Sequence, residues 1–551
     1  MKVLSAAEMQ ACDRVTSERF GVPSLVLMRA AAAAAAAFAR EQFPQAKRVT
    51  VLCGRGNNGG DGMMTARLLA TAGLKVTTIL LGAPEGLKGD AAAAWRELAG
   101  PAQGMIAVVR APEDLAQHKS ALQTDLIVDA VVGTGFQPPL HGLALAALEW
   151  IKASAAPVLA VDLPSGWPAD AVAPYDGPVF PADAVITFTA PKPAHVFRQL
   201  TRGWDQPVAV AAIGSPDAAI VSEQKLTWAG AAHGLVETPR ASDANKGRFG
   251  HVLVVGGAVG KAGAPAMAAM AALRAGAGLV TAAVPEPVLA TVARFAAELM
   301  TVPLEATAAG EIAARGLTPE FFEGLTKGKT VLAVGPGMGQ GMGPGMDKRA
   351  GALKFLTGLL EATDVPVVLD ADALNLIARH APLLKTLARM GRAGRTLVLT
   401  PHPGEMARLA DRTVKDVQAQ RLETARGFAE KYGLTLVLKG ARTLIAHADG
   451  SVAVNTSGNP AMAKGGSGDM LTGWVAGLLA QYPGDPVRAV EAAVYLHGLA
   501  ADFAVRAADE HTLLATDTLG TFSQAFRFRP RGASGYVLLQ GHCVRQTFGE
   551  D

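Results

Sequence analysis

Lys464-Gly-Gly-Ser-Gly-Asp-Met-Leu-Thr-Gly473, followed by the apolar run Trp474 to Leu479, is the stretch around which this chain is organised. The glycines predict a turn, and the spacing of the apolar run predicts a helix that begins at this turn. The unpaired N–H groups and the positive dipole end of such a helix favour an anion. Asp469 falls in the first helical turn. It is either a helix cap or, beside a phosphate group, a base that takes a proton from an attacking hydroxyl, and both interpretations stay open.

The composition is typical of a large, well-packed globular protein. The chain has 551 residues, which is too long for one hydrophobic core, so we expect at least two domains. The formal net charge is only +3 and there is no long Lys or Arg run, so neither nucleic acid nor a membrane surface is an expected partner. Cys12, Cys53 and Cys543 show neither metal spacing nor even pairing, and no secretion signal is apparent, so we expect a cytoplasmic protein.

The first half of the chain contains another glycine-rich stretch. A predicted buried strand, 47–53, is followed by Gly54-Arg-Gly-Asn-Asn-Gly-Gly-Asp-Gly62 and by a predicted helix that starts near Met63. A strand, a glycine loop and a helix form a unit that binds phosphate groups, although a purely structural turn is the alternative. The two asparagines and Asp61 favour a binding site, because two amides and a carboxylate are more polar than a turn requires.

The first half contains four further predicted strands, and several of them end in polar residues. These strands lie within 75–81, 125–132, 157–162 and 183–189. Continuous apolar strands that alternate with helices predict an α/β fold with a mainly parallel sheet between helices. Ligands bind such sheets beyond the carboxyl ends of the strands, where Gly133, Asp162 and Ser165 fall. Asp129 lies within its strand, close to the same edge. One acidic strand end is usually a helix cap, but several oxygen-bearing ends at one edge favour a site.

Three motifs of the first half resemble those of the NAD(P)H-hydrate epimerase family. They are Gly-Asn-Asn-Gly-Gly-Asp-Gly, Asp-Ala-Val-Val-Gly-Thr-Gly and Val-Asp-Leu-Pro-Ser-Gly, and the resemblance covers about residues 1–215. It implies a Rossmann-like domain whose substrate-binding residues are Asn57, Asn58, Gly59, Gly60, Asp61, Gly133, Thr134, Gly135, Phe136, Gln137, Pro138, Pro139 and Asp162. It also implies a potassium ion on Asn58, Asp129 and Ser165, whose oxygen atoms suit a hard cation. We predict Asp162 as the acid or base that moves a proton while C6 of the hydrated nicotinamide ring is inverted.

The second half repeats the α/β pattern. Strands are predicted within 246–257, 330–339, 365–375, 395–405 and 433–440, and with the opening stretch they predict a second sheet with a second ligand-binding edge. Taken singly, His402 could be a simple turn residue and Lys439 a solvated strand end. For Asp372 we prefer the role of cap of the following helix. Together, a glycine turn, a candidate base, a lysine and a histidine on successive strand ends favour phosphoryl transfer.

The order of these motifs resembles the ADP-dependent NAD(P)H-hydrate dehydratase family, a branch of the ribokinase-like fold. The motifs include Arg-Ala-Gly-Ala-Gly, Gly-Pro-Gly-Met-Gly, Leu-Asp-Ala-Asp-Ala-Leu-Asn, Thr-Pro-His-Pro-Gly-Glu and Gly-Gly-Ser-Gly-Asp, over about residues 225–527. The resemblance implies that the hydrate contacts Ala264, Gly337, His402 and Asp469, with Asp469 as the base. It implies nucleotide contacts at Lys439, Gly440, Ala441, Arg442, Thr443 and Gly468.

Together the two resemblances imply repair of nicotinamide nucleotides. One domain interconverts the R and S forms of NADH hydrate and NADPH hydrate, and the other dehydrates the S form at the expense of ADP, giving AMP and phosphate. Asp469 accepts the proton of the C6 hydroxyl as this oxygen attacks the terminal phosphate of ADP. We expect a magnesium ion with the ADP, although no ligand pair for it is evident, and a homo-oligomer.

The expected domains are 1–220 for the epimerase and 221–528 for the dehydratase, with 529–551 as an unassigned tail. Leu226 to Trp228 is alternatively a small edge strand of the second domain. The tail matches nothing expected of either family, so it is a disordered extension or an extra strand against a neighbour. The glycine-rich stretch 341–346 is interpreted as a mobile loop.

Two rival functions remain open at this point. The first is a kinase of a small alcohol fused to a binding domain, since Gly-Gly-Ser-Gly-Asp does not exclude it. In the second rival function, the first half of the chain keeps its fold but is a non-catalytic nucleotide-binding or protein-interaction module. The sequence also leaves open ADP against ATP, and NADH hydrate against NADPH hydrate.

Overall fold

The computed structural model describes residues 1–99, 104–339, 347–532 and 534–541, with only the backbone described for 347–350. The chain divides into two units, one formed by Met1–Trp228 with Arg529–Asp551 and the other by Ala229–Phe528. Each unit contains a mainly parallel sheet and flanking helices, so the predicted two-domain α/β fold is confirmed.

The first unit contains all the strands predicted for it, and others besides. Its strands before the second unit are β1 (Arg48–Cys53), β2 (Lys75–Leu81), β3 (Met105–Val109), β4 (Leu126–Ala130), β5 (Val158–Val161), β6 (Ala184–Phe188), β7 (Val208–Ala211) and β8 (Leu226–Trp228). Its helices are α1 (Ala6–Glu18), α2 (Ser24–Gln42), α3 (Asn57–Thr71), α4 (Gly89–Leu98), α5 (Gly142–Ile151) and α6 (Pro193–Phe197). The strands lie side by side in the order β7-β6-β5-β4-β1-β2-β3, and all of them are parallel. The chain adds strands on one side of β1 up to β3 and then on the other side from β4 to β7. The point between β1 and β4, where this direction of addition reverses, is where ligands bind in such sheets.

The predicted start of the helix after β1 is wrong. Helix α3 begins at Asn57, so both asparagines and Asp61 lie in its first turns rather than in a loop. The glycines of this stretch allow close packing. A Cβ atom on Gly59 would lie 1.9 Å from the carbonyl oxygen of Gly54, and one on Gly62 would lie 2.4 Å from Cβ of Ala130. Only glycine therefore lets the start of α3 approach the sheet this closely.

The second unit follows directly after Trp228. Its strands are β9 (His251–Val255), β10 (Leu279–Pro285), β11 (Met300–Leu304), β12 (Val331–Val334), β13 (Val367–Leu369), β14 (Leu397–Leu399), β15 (Thr435–Leu438), β16 (Leu444–Ala446) and β17 (Val452–Val454). Its helices are α7 (Gly263–Arg274), α8 (Glu286–Ala293), α9 (Pro319–Thr326), α10 (Asp347–Glu361), α11 (Ala371–Arg379), α12 (Ala381–Arg392), α13 (Pro403–Ala410), α14 (Val414–Ala419), α15 (Arg421–Tyr432), α16 (Ser467–Gln481), α17 (Pro486–Ala504) and α18 (Phe522–Arg527). The strands run in the order β11-β10-β9-β12-β13-β14-β15-β16-β17, parallel from β11 to β15 and antiparallel from β15 to β17.

The tail contributes a strand to the first unit. Its strand β18 (Val537–Gln540) pairs antiparallel with β7. The Tyr536 hydroxyl donates to Oε1 of Glu41 at 2.6 Å, and the Tyr536 ring packs edge-on against Phe38 with the ring centroids 4.9 Å apart. The described part of the tail is therefore an extra strand of the chain's own sheet, not a disordered extension. Residues 542–551, with Cys543, and the predicted mobile loop 341–346 lie outside the described residues.

No helix in the described ranges combines the length and apolar character needed to cross a membrane.

Candidate active sites

The first unit has a cavity of about 620 Å³ at the carboxyl ends of β1, β4 and β5. Predicted substrate-binding residues from three separate segments line it: Asn57, Asn58, Asp61, Gly133, Thr134, Gly135, Phe136 and Asp162. Gly59 and Gly60 are buried within α3, while Gln137, Pro138 and Pro139 are exposed, and none of these five lines the described part of the cavity. The fold thus brings together most of the predicted substrate residues.

Asp162 is the most strongly anchored carboxylate of this cavity. It follows β5 with a φ of 68°, a left-handed conformation that non-glycine residues seldom adopt. Its Oδ2 accepts hydrogen bonds from both the backbone N–H and the hydroxyl of Thr134. Its Oδ1 accepts from the Thr187 hydroxyl and from Nζ of Lys192, both at 2.8 Å. Four donors therefore fix this carboxylate in one orientation.

The ionisation of Asp162 is set by the same neighbours. Burial pushes its pKa upward, but the charge of Lys192 and the hydrogen bonds hold the pKa well below its usual range. His195 lies behind it, with Nδ1 accepting from the Lys192 N–H and Nε2 donating to the Asp162 carbonyl. Burial, with the charge of Lys192, lowers the pKa of His195 to about 4, so this imidazole is neutral.

Asp61 is a carboxyl group of opposite character in the same cavity. Burial, reinforced by the charges of Asp162 and Asp13, raises its pKa well above the usual value. Asp13 also lines the cavity, and burial raises its pKa to about 6. The cavity therefore combines a carboxyl group whose pKa is lowered, Asp162, with one whose pKa is raised, Asp61, which is the arrangement typical of acid/base pairs.

The side chains of the three residues predicted to bind potassium, Asn58, Asp129 and Ser165, each carry an oxygen atom that can act as a ligand. Asp129 is fully buried and accepts the Ser165 hydroxyl at 2.6 Å and the Ser165 N–H at 2.7 Å. The side-chain amide of Asn58 is buried, and neither its oxygen nor its nitrogen has a hydrogen-bond partner among the described residues. A Cβ atom on Gly133 would lie 3.1 Å from Cγ of Asn58 and 2.8 Å from Oδ2 of Asp162, so Asn58 lies beside the cavity. A buried, unpaired amide oxygen fits a ligand for a hard cation.

In the second unit, helix α16 begins at the glycine turn, as predicted. Gly466 is the N-cap residue, with a φ of 97° and no side-chain cap, and Asp469 lies in the first turn. A Cβ atom on Gly473 would lie 2.1 Å from the carbonyl oxygen of Ala268, so α16 packs closely against α7. The Asp469 carboxylate accepts no hydrogen bond within the described part of the chain, which excludes the cap interpretation. Burial, reinforced by the charge of Asp370, raises its pKa to about 7.

Lys439 lies next to the same helix start. Its Nζ is 2.8 Å from Oδ1 of Asp370, and its side chain is only 19% exposed, so the solvated alternative is wrong. Burial alone would lower the pKa of Lys439, but the charges of Asp370 and Glu405 outweigh it and raise the pKa. A Cβ atom on Gly468 would lie 3.3 Å from Nζ of Lys439, so the two predicted nucleotide contacts meet.

His402 is the N-cap residue of α13 rather than a simple turn residue. Its Nδ1 accepts the Gly404 N–H at 3.0 Å, which leaves Nε2 as the N–H donor on a half-exposed ring. Burial, with the charge of Lys439, lowers the pKa of His402, so the ring is neutral near neutral pH.

The prediction that Asp372 caps α11 is wrong. Asp370 occupies the N-cap position, although its side chain makes no capping hydrogen bond. The Asp372 carboxylate instead accepts the Gly339 N–H at 2.9 Å and therefore closes the glycine loop after β12. In this loop Gly337 has a φ of 62°, and a Cβ atom on it would lie 3.0 Å from Cβ of Ala264. Two predicted hydrate contacts therefore adjoin each other.

The predicted nucleotide segment from Lys439 to Thr443 connects β15 with β16. Arg421, which was not predicted, donates to the carbonyl oxygen of Ala441 at 2.6 Å and also contacts those of Leu438 and Arg442. The Thr443 hydroxyl donates to the Gly440 carbonyl at 2.9 Å. These bonds fix the backbone of the segment, so its exposed groups are pre-arranged for a ligand.

Sequence reasoning missed Lys192, Thr187, His195 and Asp370. Lys192 follows the predicted strand 183–189, so a lysine just beyond a strand end was the available signal. Asp370 was visible as the first aspartate of Leu-Asp-Ala-Asp-Ala-Leu-Asn, but the spacing could not distinguish its role from that of Asp372.

The fold and the two sites define an α/β enzyme with two separate catalytic units. A family model for NAD(P)H-hydrate dehydratase matches residues 252–524, and one for the YjeF-related protein N-terminus matches residues 24–194. The bifunctional NAD(P)H-hydrate repair enzyme Nnr of Moorella thermoacetica is 39% identical over 529 residues, which cover 94% of this chain and 95% of that protein. The corresponding enzyme of Salinibacter ruber is 35% identical over 534 residues and covers 94% of each chain. The chain belongs to the family of bifunctional NAD(P)H-hydrate repair enzymes, which confirms both resemblances.

A solved structure of an ADP/ATP-dependent NAD(P)H-hydrate dehydratase from Bacillus subtilis, co-crystallised with ATP/Mg²⁺, also aligns with this chain. It is 29% identical, with a TM-score of 0.43, and the alignment covers 53% of this chain and 96% of that one.

Proposed function

We propose that this chain repairs hydrated nicotinamide nucleotides with two activities. The first unit interconverts the R and S epimers of NADH hydrate and NADPH hydrate, and the second dehydrates the S epimer with ADP, releasing AMP and phosphate. The observation that carries the proposal is the Asp469 carboxylate, which accepts no hydrogen bond from the described residues and lies with Lys439 at the N-terminus of α16. The relatives that span nearly the whole chain support both activities.

For epimerisation, the cavity of the first unit offers an acid and a base. Asp61 donates its proton to the departing C6 hydroxyl, which leaves as water while the lone pair of the ring nitrogen forms a C=N bond. Water then adds to the opposite face of C6, and the ionised Asp162 takes the proton that this water loses. Proton exchange through solvent restores both carboxyl groups. The anchoring by Thr134 and Lys192 supports this role, because it keeps Asp162 ionised and fixed.

Asn58, Asp129 and Ser165 are the proposed potassium ligands. The unpaired buried amide of Asn58 supports this assignment. A potassium ion there would supply a fixed positive charge that helps to hold the substrate next to Asp162. The assignment concerns binding, and no proton in the scheme above depends on it.

For dehydration, Asp469 accepts the proton of the C6 hydroxyl while the hydroxyl oxygen attacks the terminal phosphate of ADP. Lys439 and the N–H groups at the start of α16 stabilise the negative charge that develops on the moving phosphoryl group. Phosphate then leaves C6 with the electron pair of the C–O bond, and loss of a ring proton restores the dihydronicotinamide. His402, whose Nε2–H lies 3.5 Å from Oε1 of Glu405 on a half-exposed ring, contacts the hydrate. Magnesium bound with ADP would neutralise part of the negative charge of the phosphates.

A cytoplasmic location and a homo-oligomeric state stay predictions.

The deciding experiment supplies the epimer mixture with ADP and follows the return of the absorbance of the reduced nicotinamide, with ATP tested in parallel. We expect complete conversion, because epimerisation feeds the S form, together with stoichiometric AMP and phosphate. A stable phosphate ester accumulating in place of the reduced nucleotide would support the small-alcohol kinase instead. Conversion that stops at the S fraction would show that the first unit is not catalytic.

A further inference from the structure

Asp370 is a buried charge at the centre of the second unit's site. It is only 1% exposed, and each of its oxygens has a separate partner. Its Oδ1 accepts from Nζ of Lys439 at 2.8 Å, and its Oδ2 accepts from the hydroxyl of Thr472 at 2.8 Å. It occupies an N-cap position without capping its helix, so its carboxylate serves these two partners instead.

The two partners belong to different parts of the site. Lys439 follows β15 at the start of the predicted nucleotide segment, and Thr472 lies on α16 three positions after Asp469. A Cβ atom on Gly468, in the first turn of α16, would lie 3.3 Å from Nζ of Lys439 and 3.7 Å from Oδ2 of Asp370. One carboxylate therefore connects the lysine to the helix that carries the proposed base.

We propose that Asp370 is a positioning residue that acts through Lys439, holding the ammonium group against the first turn of α16, where the transferred phosphoryl group must lie. This inference rests on the proposed dehydratase function. The Asp370 side chain is only 2% exposed and that of Lys439 is 19% exposed, so the lysine is the member of the pair that a ligand can reach. A freely rotating lysine would place its charge anywhere within a sphere of several ångströms, and misplacement by about 1 Å can cost about a hundredfold in rate.

A purely structural role is the competing explanation. Burying a carboxylate and an ammonium group costs desolvation free energy, and an apolar pair of the same volume often stabilises a fold at least as well. The ion pair also keeps Lys439 charged against the effect of burial, which matters for chemistry but not for packing. The arrangement is therefore better explained by the lysine's position than by the stability of the core.

The test is a double-mutant cycle of Asp370→Asn and Lys439→Met, measured as kcat and KM for ADP in the full chain. We expect each single variant to lower kcat/KM about a hundredfold. If Asp370 acts through Lys439, the double variant loses no more than Lys439→Met alone. Losses that multiply in the double variant, or an Asp370→Asn variant with wild-type kcat/KM, would overturn the proposal.

Two further variants separate positioning from folding. Thr472→Val removes one hydrogen bond to Asp370 and should lower kcat/KM. Thr472→Ser keeps the hydroxyl and should have the kcat/KM of the wild type. If Asp370→Asn does not fold, the two Thr472 variants alone provide the test, and equal kcat/KM values for them would overturn the proposal.

Asp502→Asn is the matched control, since Asp502 is another buried carboxylate of this unit and accepts hydrogen bonds from Gly458 and Asn459. This variant should have a lower melting temperature and an unchanged kcat. If wild-type protein makes no reduced nucleotide with ADP, the proposed function fails; if it does and the cycle is multiplicative, only this inference fails.

Discussion

Thr134 donates both its backbone N–H and its hydroxyl to a single oxygen of Asp162. The loop after β4 and the end of β5 are thereby joined at the carboxylate that the epimerase chemistry needs. The other oxygen is occupied by Thr187 and Lys192, so the side chain cannot rotate without breaking several bonds. This fixed geometry makes the consequences of substitution specific.

Asp162→Asn should abolish epimerisation while leaving dehydration of the S epimer unchanged. General acid–base catalysis contributes about 10²- to 10⁴-fold, so we expect a loss of at least about a hundredfold in the epimer exchange rate. The measurement is chromatographic separation of the two epimers without ADP. The exposed Glu149→Gln, in the same unit, is the control and should behave as wild type. Unchanged exchange in Asp162→Asn would support a non-catalytic first unit.

Asp61 should act as the proton donor in epimerisation. Because burial raises its pKa, the group is protonated below this raised pKa and loses its proton as the pH rises through it. The rate of exchange should therefore fall on the alkaline side of its pH profile, and Asp61→Asn should remove that limb together with most of the activity. If the rate still falls at alkaline pH in Asp61→Asn, a group other than Asp61 causes this fall.

The dehydratase should require an ionised Asp469. With its pKa raised to about 7, this base is protonated at lower pH, so kcat/KM for the hydrate should fall about tenfold per pH unit well below pH 7. Asp469→Asn should reduce ADP-driven recovery of the reduced nucleotide to background while ADP still binds, as calorimetry would show. Asp449→Asn, an exposed aspartate of the same unit, serves as the control. Full turnover in Asp469→Asn would refute the base assignment.

Potassium should stabilise the first unit by binding. A ligand that binds only the folded state raises its stability by RT ln(1 + [L]/Kd), so adding potassium to a sodium buffer should raise the melting temperature. Asn58→Leu should remove this increment, because it replaces the unpaired amide with an apolar group. Calorimetric scans of both proteins in potassium and in sodium provide the comparison. An equal increment in both proteins would exclude Asn58 as a ligand.

The tail strand should contribute measurably to the stability of the first unit. Tyr536 is 1% exposed, and truncating a buried aromatic residue to alanine typically costs about 3–5 kcal/mol. Tyr536→Ala should therefore accelerate hydrogen exchange of the β7 amides, while Tyr536→Phe, which loses only the hydroxyl, should cost about 1 kcal/mol. Exchange at β7 that is unaffected by Tyr536→Ala would show that β18 does not support the sheet.

Several apolar strands were predictable from the sequence, including the three-residue strands β13 and β14, whereas β10 was not. The predicted bounds of β2 coincide with the observed Lys75–Leu81. The seven-residue strand β10 was missed because its sequence Leu-Val-Thr-Ala-Ala-Val-Pro is rich in alanine, which gives no clear strand signal. The start of α3 was placed too late because its glycines resemble a loop, although they serve close packing.

The candidate sites were predictable where one motif carries them, but not where distant segments supply the partners. Asp162 and Asp469 stand in recognisable motifs at strand or helix ends. The partners Lys192 and Asp370 lie 30 and 69 positions from Asp162 and Lys439 respectively, and nothing local indicates which carboxylate pairs with which lysine. Only the folded arrangement shows that Asp370, rather than Asp372, holds the lysine.

The position of β18 along the chain has a consequence for biosynthesis. The ribosome must produce the whole of Ala229–Phe528 between β7 and the strand that pairs with it. During that interval the β7 edge of the nascent sheet has open backbone groups, which invite pairing with other chains. We therefore expect nascent chains stalled before Val537 to need a chaperone or to aggregate, and the first unit to mature only after the second has been translated.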